Sequence, residues 1–284
     1  MRLIRFGAPG SERPGVQVSD TMLLDLGDLV RDFDGAFLAS GGLELVSDLH
    51  ERGHGREVAI EQVRIGSPIA RPGQVVCVGL NYVDHARESG MELPAEPVLF
   101  NKAPNTVVGP NDQVIIPRGG HKTDWEIELG VVIGRTARYL QSAEDALSCI
   151  AGYAVSNDVS ERAFQLERGG QWVKGKSAES FNPLGPWLVT ADEVPDPQAL
   201  SLTLSLNGEP MQSGSTSDMV FGVAHLVWYI SQFMVLEPGD LVNTGTPAGV
   251  GAGLQPPRFL REGDVMELEI AGLGRQRQLC VAAS

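Results

Sequence analysis

The most constraining feature of this sequence is a pair of glutamates, Glu126 and Glu128, next to an apolar run in the stretch at residues 122–133. The apolar residues predict a buried strand, and side chains at positions i and i+2 of a strand point to the same face. Two carboxylates would therefore lie side by side in the interior, where burial strengthens their mutual repulsion. A divalent cation with oxygen ligands would neutralise them, so the sequence predicts a metal site built on a strand.

Asp158 is the candidate for a third ligand. It follows an apolar segment that predicts a strand at residues 152–156, and a helix is predicted shortly after it at residues 161–167. Strand ends often carry functional groups, but an aspartate just before a helix can equally serve as its N-cap, and the local pattern leaves both interpretations open. Three carboxylates without a nearby Cys or His would select Mg²⁺ or Mn²⁺ over Zn²⁺, with Ca²⁺ as an ion that could bind in crystals.

A second pair of residues has the spacing of a general base and its orienting carboxylate. His85 and Glu88 lie three residues apart in a helix predicted over residues 81–90, which Gly90 would end as a C-cap. Residues at i and i+3 share one helix face, and a histidine held by a carboxylate is a suitable general base near neutral pH. The alternative is an ion pair on the surface of the helix.

Two glycine-containing segments are candidates for further binding elements. Lys176 lies in one of them, a predicted loop, where its ammonium group could be a solvated charge or could stabilise a substrate carboxylate or an enolate. Residues 244–251 superficially suggest a phosphate-binding loop. No lysine follows those glycines, and Pro256 and Pro257 are incompatible with the helix that a P-loop requires. The sequence therefore argues against nucleotide binding, and the lack of a Gly-x-Ser-x-Gly elbow argues against a serine hydrolase.

Composition and charge narrow the class of protein. The 284 residues are 42% hydrophobic and 20% charged, as in an ordinary globular protein. The net charge of −14 argues against nucleic-acid binding, because phosphate recognition needs clustered Lys and Arg. Cys77, Cys149 and Cys280 are widely spaced and predict buried thiols in a reducing compartment. With no signal-like start and no apolar run long enough for a membrane span, we expect a cytoplasmic protein without membrane or nucleic-acid partners.

Connector signals divide the chain into two units. Residues 1–66 predict a small N-terminal α+β domain, in which residues 20–30 carry turn and helix-start signals. Residues 67–73 form a linker with two prolines, and residues 74–284 form the larger domain. Strands outnumber helices without strict alternation, which predicts a strand-rich α+β fold of mixed β architecture. Strands are predicted at residues 3–6, 16–18, 74–79, 98–100, 114–116, 126–133, 152–156, 187–190, 202–206, 240–242 and 265–270, and helices at residues 43–52, 81–90, 143–150, 161–167 and 223–234.

Seven segments, taken together and in order, resemble the fumarylacetoacetate hydrolase family. The resemblance spans residues 74–284, and residues 160–170 are most similar to bacterial members that open 2,4-dioxo sugar acids, many of which carry a ureidoglycolate lyase label. It implies a mixed β-roll or β-sandwich with a small N-terminal domain, usually in a homodimer. The matching segments are residues 78–88, 96–102, 125–134, 157–165, 175–177, 183–186 and 244–251.

The resemblance also implies roles for single residues of this sequence. The metal ligands would be Glu126, Glu128 and Asp158, and the catalytic dyad would be His85 and Glu88. Lys176 would lie in the substrate pocket, where Gln165 and Thr246 would contact the substrate directly. Arg162, Tyr82 and Lys102 would be second-line contacts.

One departure from the family pattern concerns the loop after Lys176. The family commonly has an aromatic residue and an aspartate where this chain has Ala178 and Glu179. A smaller residue would leave room in the pocket, and a longer carboxylate could accept hydrogen bonds from substrate hydroxyls. This departure predicts a polar, hydroxylated tail on the substrate.

The predicted function is hydrolysis of the C3–C4 bond of a 2,4-dioxo acid to pyruvate and a carboxylic acid. The substrate would be an acylpyruvate or a 2,4-dioxo-3-deoxy sugar acid, with Mg²⁺ or Mn²⁺ as Lewis acid and His85 as the base that activates water. The nearest alternative is a lyase, decarboxylase or hydratase with the same metal site, because fold and metal site are shared among these activities. A non-catalytic metal-binding protein is the alternative of another class.

Overall fold

A computed structural model describes residues 1–88 and 90–284 of the chain. Strands dominate the described residues, and the helices are short. The strands are β1 (Arg2–Phe6), β2 (Arg13–Gln17), β3 (Met22–Asp25), β4 (Arg56–Ala59), β5 (Val75–Gly79), β6 (Val98–Lys102), β7 (Val107–Val108), β8 (Val114–Ile116), β9 (Thr123–Asp124), β10 (Ile127–Ile133), β11 (Ile150–Asn157), β12 (Ser160–Glu161), β13 (Asn182–Pro183), β14 (Leu188–Thr190), β15 (Ser201–Leu206), β16 (Glu209–Ser215), β17 (Leu241–Asn243), β18 (Val265–Ile270) and β19 (Gly274–Ala282). The α-helices are α1 (Gly35–Ala39), α2 (Gly42–Glu51), α3 (Val83–Glu88), α4 (Ala143–Leu147), α5 (Arg162–Leu166), α6 (Val173–Lys176) and α7 (Val223–Ile230).

Two antiparallel strands, β10 and β11, form the centre of the larger sheet. Every residue of both strands is buried. Their side chains alternate as the sequence predicts: Ile127, Leu129 and Val131 enter the main hydrophobic cluster, whereas Glu128 lies on the opposite face with Val132. The central strand thus buries an apolar face and presents carboxylates on the other.

The larger sheet is mixed, with ten strands in the order β4-β3-β2-β1-β14-β11-β10-β17-β5-β6. A second sheet, β16-β15-β18-β19-β8, contributes Leu204 and Leu268 to the same cluster as Ile127. Most neighbouring strands are antiparallel, but β17 runs parallel to β5 and β19 runs parallel to β8. This architecture confirms the strand-rich α+β fold with mixed β topology.

The N-terminal strands extend the larger sheet. β1 pairs with β14, where Leu3 lies opposite Leu188, so hydrogen bonding runs across the predicted boundary. The Arg5 side chain also donates to the carbonyl oxygens of Ser67 and Ile69 within the predicted linker. The division into residues 1–66, 67–73 and 74–284 stays a prediction.

Several local predictions need correction. Residues 20–30 contain strand β3 where helix-start signals were expected, because Leu23 and Leu24 complete pairing with the strands on both sides. Helix α4 ends at Leu147, and Ile150 already belongs to β11. Lys176 ends the short helix α6, so it does not lie in a loop. The predicted C-cap at residue 90 depends partly on Ser89, which lies outside the described residues.

Strands β4, β16 and β19, and the two-residue strands β7, β12 and β13, have no counterpart among the strands predicted from the sequence. β16 contains Pro210 and Gly214, which normally disfavour strands, and its pairing with β15 has a register shift. β19 carries many long polar side chains and lies between β18 and β8. In both cases pairing with neighbouring strands outweighs the weak local preference. Among the described residues, no helix has the length and apolar character that crossing a membrane would require.

Candidate active site

The three carboxylates predicted as metal ligands converge in the structure. Glu126, Glu128 and Asp158, called here the acidic triad, each offer an oxygen, and these oxygens lie within 4.8 Å of one another. Strand register explains the convergence: Ile127 pairs with Asn157, and the Asp158 amide donates to the Glu126 carbonyl oxygen at 2.9 Å. The residue after β11 is thereby placed opposite the residue before β10.

The N-cap interpretation of Asp158 is wrong. The helix that follows, α5, is capped by Glu161, whose side chain accepts from the Ala163 amide. Asp158 is fully buried, and its carboxylate instead forms salt bridges with Lys102 and Lys176. Its carboxylate therefore belongs to the triad and not to the helix end.

Lys176 and Lys102 partly neutralise the triad. Lys176 Nζ donates to Glu126 Oε2 and Asp158 Oδ2, both at 2.7 Å. Lys102 Nζ pairs with the other oxygen of Asp158 and donates to the Phe181 carbonyl oxygen at 2.7 Å. Burial alone would lower the pKa of Lys176, but the charges of Asp158 and Glu126 outweigh it and raise that pKa. Lys176 therefore remains a cation.

Glu128 is the member of the triad that forms no ion pair with a Lys or Arg among the described residues. Burial raises the pKa of the Glu128 carboxyl well above its usual range, and the neighbouring Asp158 and Glu126 carboxylates add to the increase. Its described hydrogen bond comes from the Gly245 amide, at 2.7 Å from Oε2. In Glu126 the opposite holds, because the Lys176 and Arg162 cations outweigh burial and lower the pKa. Three clustered carboxylate oxygens with excess negative charge fit a hard divalent cation.

A buried ion network extends from the triad through Arg162. Its Nε donates to Asp124 Oδ2 at 2.8 Å, its Nη1 donates to Gln165 Oε1 at 3.2 Å, and its Nη2 lies 2.6 Å from Glu126 Oε1 as an ion pair. The Nη2 group lacks the geometry of a hydrogen bond to a protein acceptor in the described residues. Arg162 also lines the cavity, so its positive charge is available to a bound anion.

The predicted dyad is assembled but not hydrogen-bonded. His85 and Glu88 share one face of α3, with Nδ1 3.6 Å from Oε2, which is beyond hydrogen-bonding distance. Both oxygens of Glu88 accept from the Gly249 amide at 3.1 Å. A Cβ at Gly253 would come within 2.3 Å of the Glu88 carboxyl carbon, so only glycine leaves room for this carboxylate. In enzymes without substrate, catalytic hydrogen bonds are often long and shorten in the complex.

A cavity of about 270 Å³ lies beside these groups, and Asp158 and Glu88 are not part of its described lining. The predicted contacts Gln165, Thr246 and Arg162 line it, whereas Tyr82 and Lys102 are buried and absent from its described lining. The described lining consists of polar residues His85, Glu126, Glu128, Arg162, Gln165, Lys176 and Thr246, and of Val78, Gly79, Leu80, Met91, Phe100, Leu166, Trp172, Val250, Ala252 and Gly253.

The expected placement of Ala178 and Glu179 at the substrate pocket is wrong. Neither residue belongs to the described lining of the cavity. Ala178 packs against the main hydrophobic cluster, and the Glu179 residue is exposed to solvent. The loop therefore gives no support to a hydroxylated substrate tail.

Sequence reasoning missed Asp124, although its signal was present. Asp124, Glu126 and Glu128 alternate along the chain, so the period of two that selected the glutamates also selects this aspartate. Asp124 is fully buried and accepts from the amides of Gly251 and Ala252. It therefore joins Arg162 to the loop that lines the cavity. Trp172 was also missed, because only its packing places it at the cavity.

Asp124→Asn is expected to destabilise the protein by about 3 to 5 kcal/mol, since it removes one of the two carboxylates that pair with the buried Arg162. Urea unfolding at neutral pH measures the change. The matched control is Asp145→Asn, at an exposed N-terminal capping box of α4, which should cost only about 1 kcal/mol. Equal losses in the two variants would contradict the structural importance of the Asp124–Arg162 pair.

Comparisons with known proteins agree with this geometry. The family model described as fumarylacetoacetate (FAA) hydrolase C-terminal matches residues 74–281. A Burkholderia multivorans protein, whose name proposes a hydrolase and specifies no substrate, is 49% identical over all 284 residues, covering 100% of both chains. Two solved structures align with this chain over 100% of its length and over 100% of their own length. One is described as a probable 2-hydroxyhepta-2,4-diene-1,7-dioate isomerase from Mycobacterium abscessus (35% identity, TM-score 0.84), and the other is maleylpyruvate hydrolase from Sphingobium sp. SYK-6 in complex with manganese(II) ion and pyruvate (27% identity, TM-score 0.82).

Proposed function

Because this chain belongs to the fumarylacetoacetate hydrolase family, we propose that it is a metal-dependent hydrolase that cleaves the C3–C4 bond of a 2,4-dioxo acid. The products would be pyruvate and a carboxylic acid. The observation that carries the proposal is the acidic triad, of which Glu126 and Glu128 line the same cavity as His85 and Lys176. The manganese and pyruvate described in the similar maleylpyruvate hydrolase support the cation and the product.

The triad and the basic residues would bind the 2-oxo acid end of the substrate. A divalent cation held by Glu126, Glu128 and Asp158 would supply Lewis-acid stabilisation of oxygen charge. The Arg162 guanidinium, which lines the cavity beside Glu126, would attract the substrate carboxylate. The Lys176 ammonium would stabilise the negative charge that develops on the three-carbon fragment.

His85 would carry the proton during cleavage. Its Nδ1 faces Glu88, which leaves Nε2 to take a proton from the water that attacks the C4 carbonyl carbon. As the C3–C4 bond breaks, its electron pair passes to C3 and gives the enolate of pyruvate. The imidazolium Nε2–H then returns its proton to C3, so His85 ends the cycle neutral.

A substrate panel separates this proposal from a decarboxylase or a ureidoglycolate lyase. Acetylpyruvate, a longer acylpyruvate, a 2,4-dioxo-3-deoxy sugar acid, oxaloacetate and ureidoglycolate would be assayed with Mg²⁺, with Mn²⁺ and with chelator. We expect pyruvate release from a 2,4-dioxo acid only when a divalent ion is present. Near-normal turnover with chelator would contradict the metal dependence, and turnover of oxaloacetate alone would favour a decarboxylase.

Lack of turnover on every 2-oxo acid of the panel would favour a non-catalytic metal-binding protein.

The expected homodimer stays a prediction, and light scattering of the purified protein measures its oligomeric state directly.

A further inference from the structure

The wall of the cavity changes character with distance from the acidic triad. Lys176 Nζ bonds to Glu126 and Asp158, and the same nitrogen lies 5.0 Å from the centre of the Phe100 ring. That ring meets Trp172 edge to face at a centroid distance of 5.3 Å. The charged end of the cavity, at Lys176, is therefore adjacent to an aromatic pair formed by Phe100 and Trp172.

Trp172 closes against the end of β5 because residue 79 is glycine. A Cβ at Gly79 would come within 2.7 Å of the indole ring, so a larger residue would push the ring away. The lining also includes Leu80, Met91 and Leu166. A substrate group lying beside the aromatic pair would meet apolar side chains.

The basic residues of the cavity are engaged at its charged end. Lys176 pairs with Glu126 and Asp158, and Arg162 is held by Asp124 and Glu126. Among the lining residues in the described ranges 1–88 and 90–284, these two are the only Lys or Arg. A carboxylate beside Trp172 would therefore meet no Lys or Arg of the described lining that is not already paired with a carboxylate, and burial of an unpaired charge is strongly unfavourable.

We propose that the substrate carries an uncharged, apolar tail that packs against Phe100 and Trp172, and that the cavity discriminates against tails ending in a second carboxylate. The inference rests on the proposed function for the position of the 2-oxo acid end. By their names, the 1,7-dioate and maleylpyruvate of two similar proteins both carry a second carboxylate. This chain would thus share their site but take a different class of tail.

A matched pair of 2-oxo acids tests the tail without any turnover. 2-Oxohexanoate and 2-oxoadipate have equal carbon numbers and differ in a terminal methyl or carboxylate. Neither has a 4-oxo group, so the proposed cleavage cannot occur. In calorimetric titrations with Mg²⁺ present, 2-oxohexanoate should bind at least about 10-fold more tightly. Equal or tighter binding of 2-oxoadipate would overturn the inference, as would failure of 2-oxohexanoate to bind, whichever way the cleavage assay turns out.

An arginine at the cavity should change this preference. Leu166 is the last residue of α5, lines the cavity and is 56% exposed, so Leu166→Arg should be tolerated and should tighten 2-oxoadipate binding by about 3- to 10-fold. Leu147→Arg is the matched control, because Leu147 is the last residue of α4, is 50% exposed and is not part of the described lining. An unchanged binding ratio in L166R, or the same change in both variants, would overturn the placement of the tail.

Trp172→Ala removes the apolar contact that the proposed tail would make. Removal of the indole should weaken 2-oxohexanoate about 10-fold and 2-oxoadipate much less, because only the methyl-ended chain gains from apolar contact. Equal weakening of both ligands would show that the ring supports the cavity without selecting the tail, and would overturn its assigned role.

Discussion

Glu128→Gln should lower the affinity for Mn²⁺ by more than about 100-fold and remove detectable turnover. Loss of an outer-shell partner of a metal ligand already costs about 10- to 100-fold in affinity, and Glu128 is proposed as a direct ligand. Glutamine has nearly the same shape and keeps an oxygen that can accept from the Gly245 amide. The substitution therefore removes charge while leaving packing in place.

Without metal, the E128Q variant should be at least as stable as the unmodified protein. Glu128 lies among carboxylates in the interior, so removing its charge relieves repulsion. We expect metal-free E128Q to unfold at or above the temperature of the unmodified protein, while the stabilisation by Mn²⁺ is lost. For the unmodified protein this stabilisation is about 2.7 kcal/mol at 100 times the Kd.

Glu161→Gln is the control for E128Q. Glu161 is equally buried and accepts from Thr123 Oγ1 and backbone amides, but it is not part of the acidic triad. Its variant should lose stability and keep its Kd for Mn²⁺, measured by electron paramagnetic resonance. A variant E128Q with unchanged Mn²⁺ affinity would remove Glu128 from the ligand set.

His85→Ala should lower turnover of a 2,4-dioxo acid by about 10²- to 10⁴-fold, which is the usual contribution of a general base. His85 is mostly buried at the cavity and faces Glu88, but it lies outside the acidic triad. The Kd for Mn²⁺ should therefore stay the same. His121→Ala, at an exposed position, controls for removal of an imidazole. Loss of metal binding in H85A would show that the role is wrongly assigned.

The reaction class can be read from the same variant. Hydrolysis needs activated water at C4, whereas decarboxylation of oxaloacetate needs only a stabilised enolate. If H85A loses cleavage of the 2,4-dioxo acid but keeps decarboxylation of oxaloacetate, water activation is assigned to His85. If both activities fall together with Mn²⁺ binding retained, His85 contributes to a step common to both reactions.

Local chemistry was visible in the sequence. Glu126 and Glu128 are two residues apart, and His85 and Glu88 are three apart, so one strand or one helix is sufficient to place each pair. The structure confirms both pairings on one face. Such short spacings depend only on backbone periodicity, which adjacent residues largely determine.

Other parts of the site needed contacts between distant segments. Lys176 was recognised as a pocket residue, but only folding shows that it bridges Glu126 and Asp158. Phe100 and Trp172 lie far apart in the sequence and meet at 5.3 Å. Strand β3 likewise forms because it is paired on both sides. In each case tertiary packing supplies the partner, and no local pattern specifies it.

Alternation placed Glu126 and Glu128 on one strand face and helical spacing placed His85 and Glu88 on one helix face, because both periodicities are local properties of the chain. Folding was needed to bring Asp158 to the two glutamates, to exclude Glu179 from the described cavity lining and to include Trp172 in it. Those positions depend on strand register and on the packing of short helices against the sheet. The character of the substrate tail therefore follows from which distant side chains share one cavity, a property that neighbouring residues in the sequence do not encode.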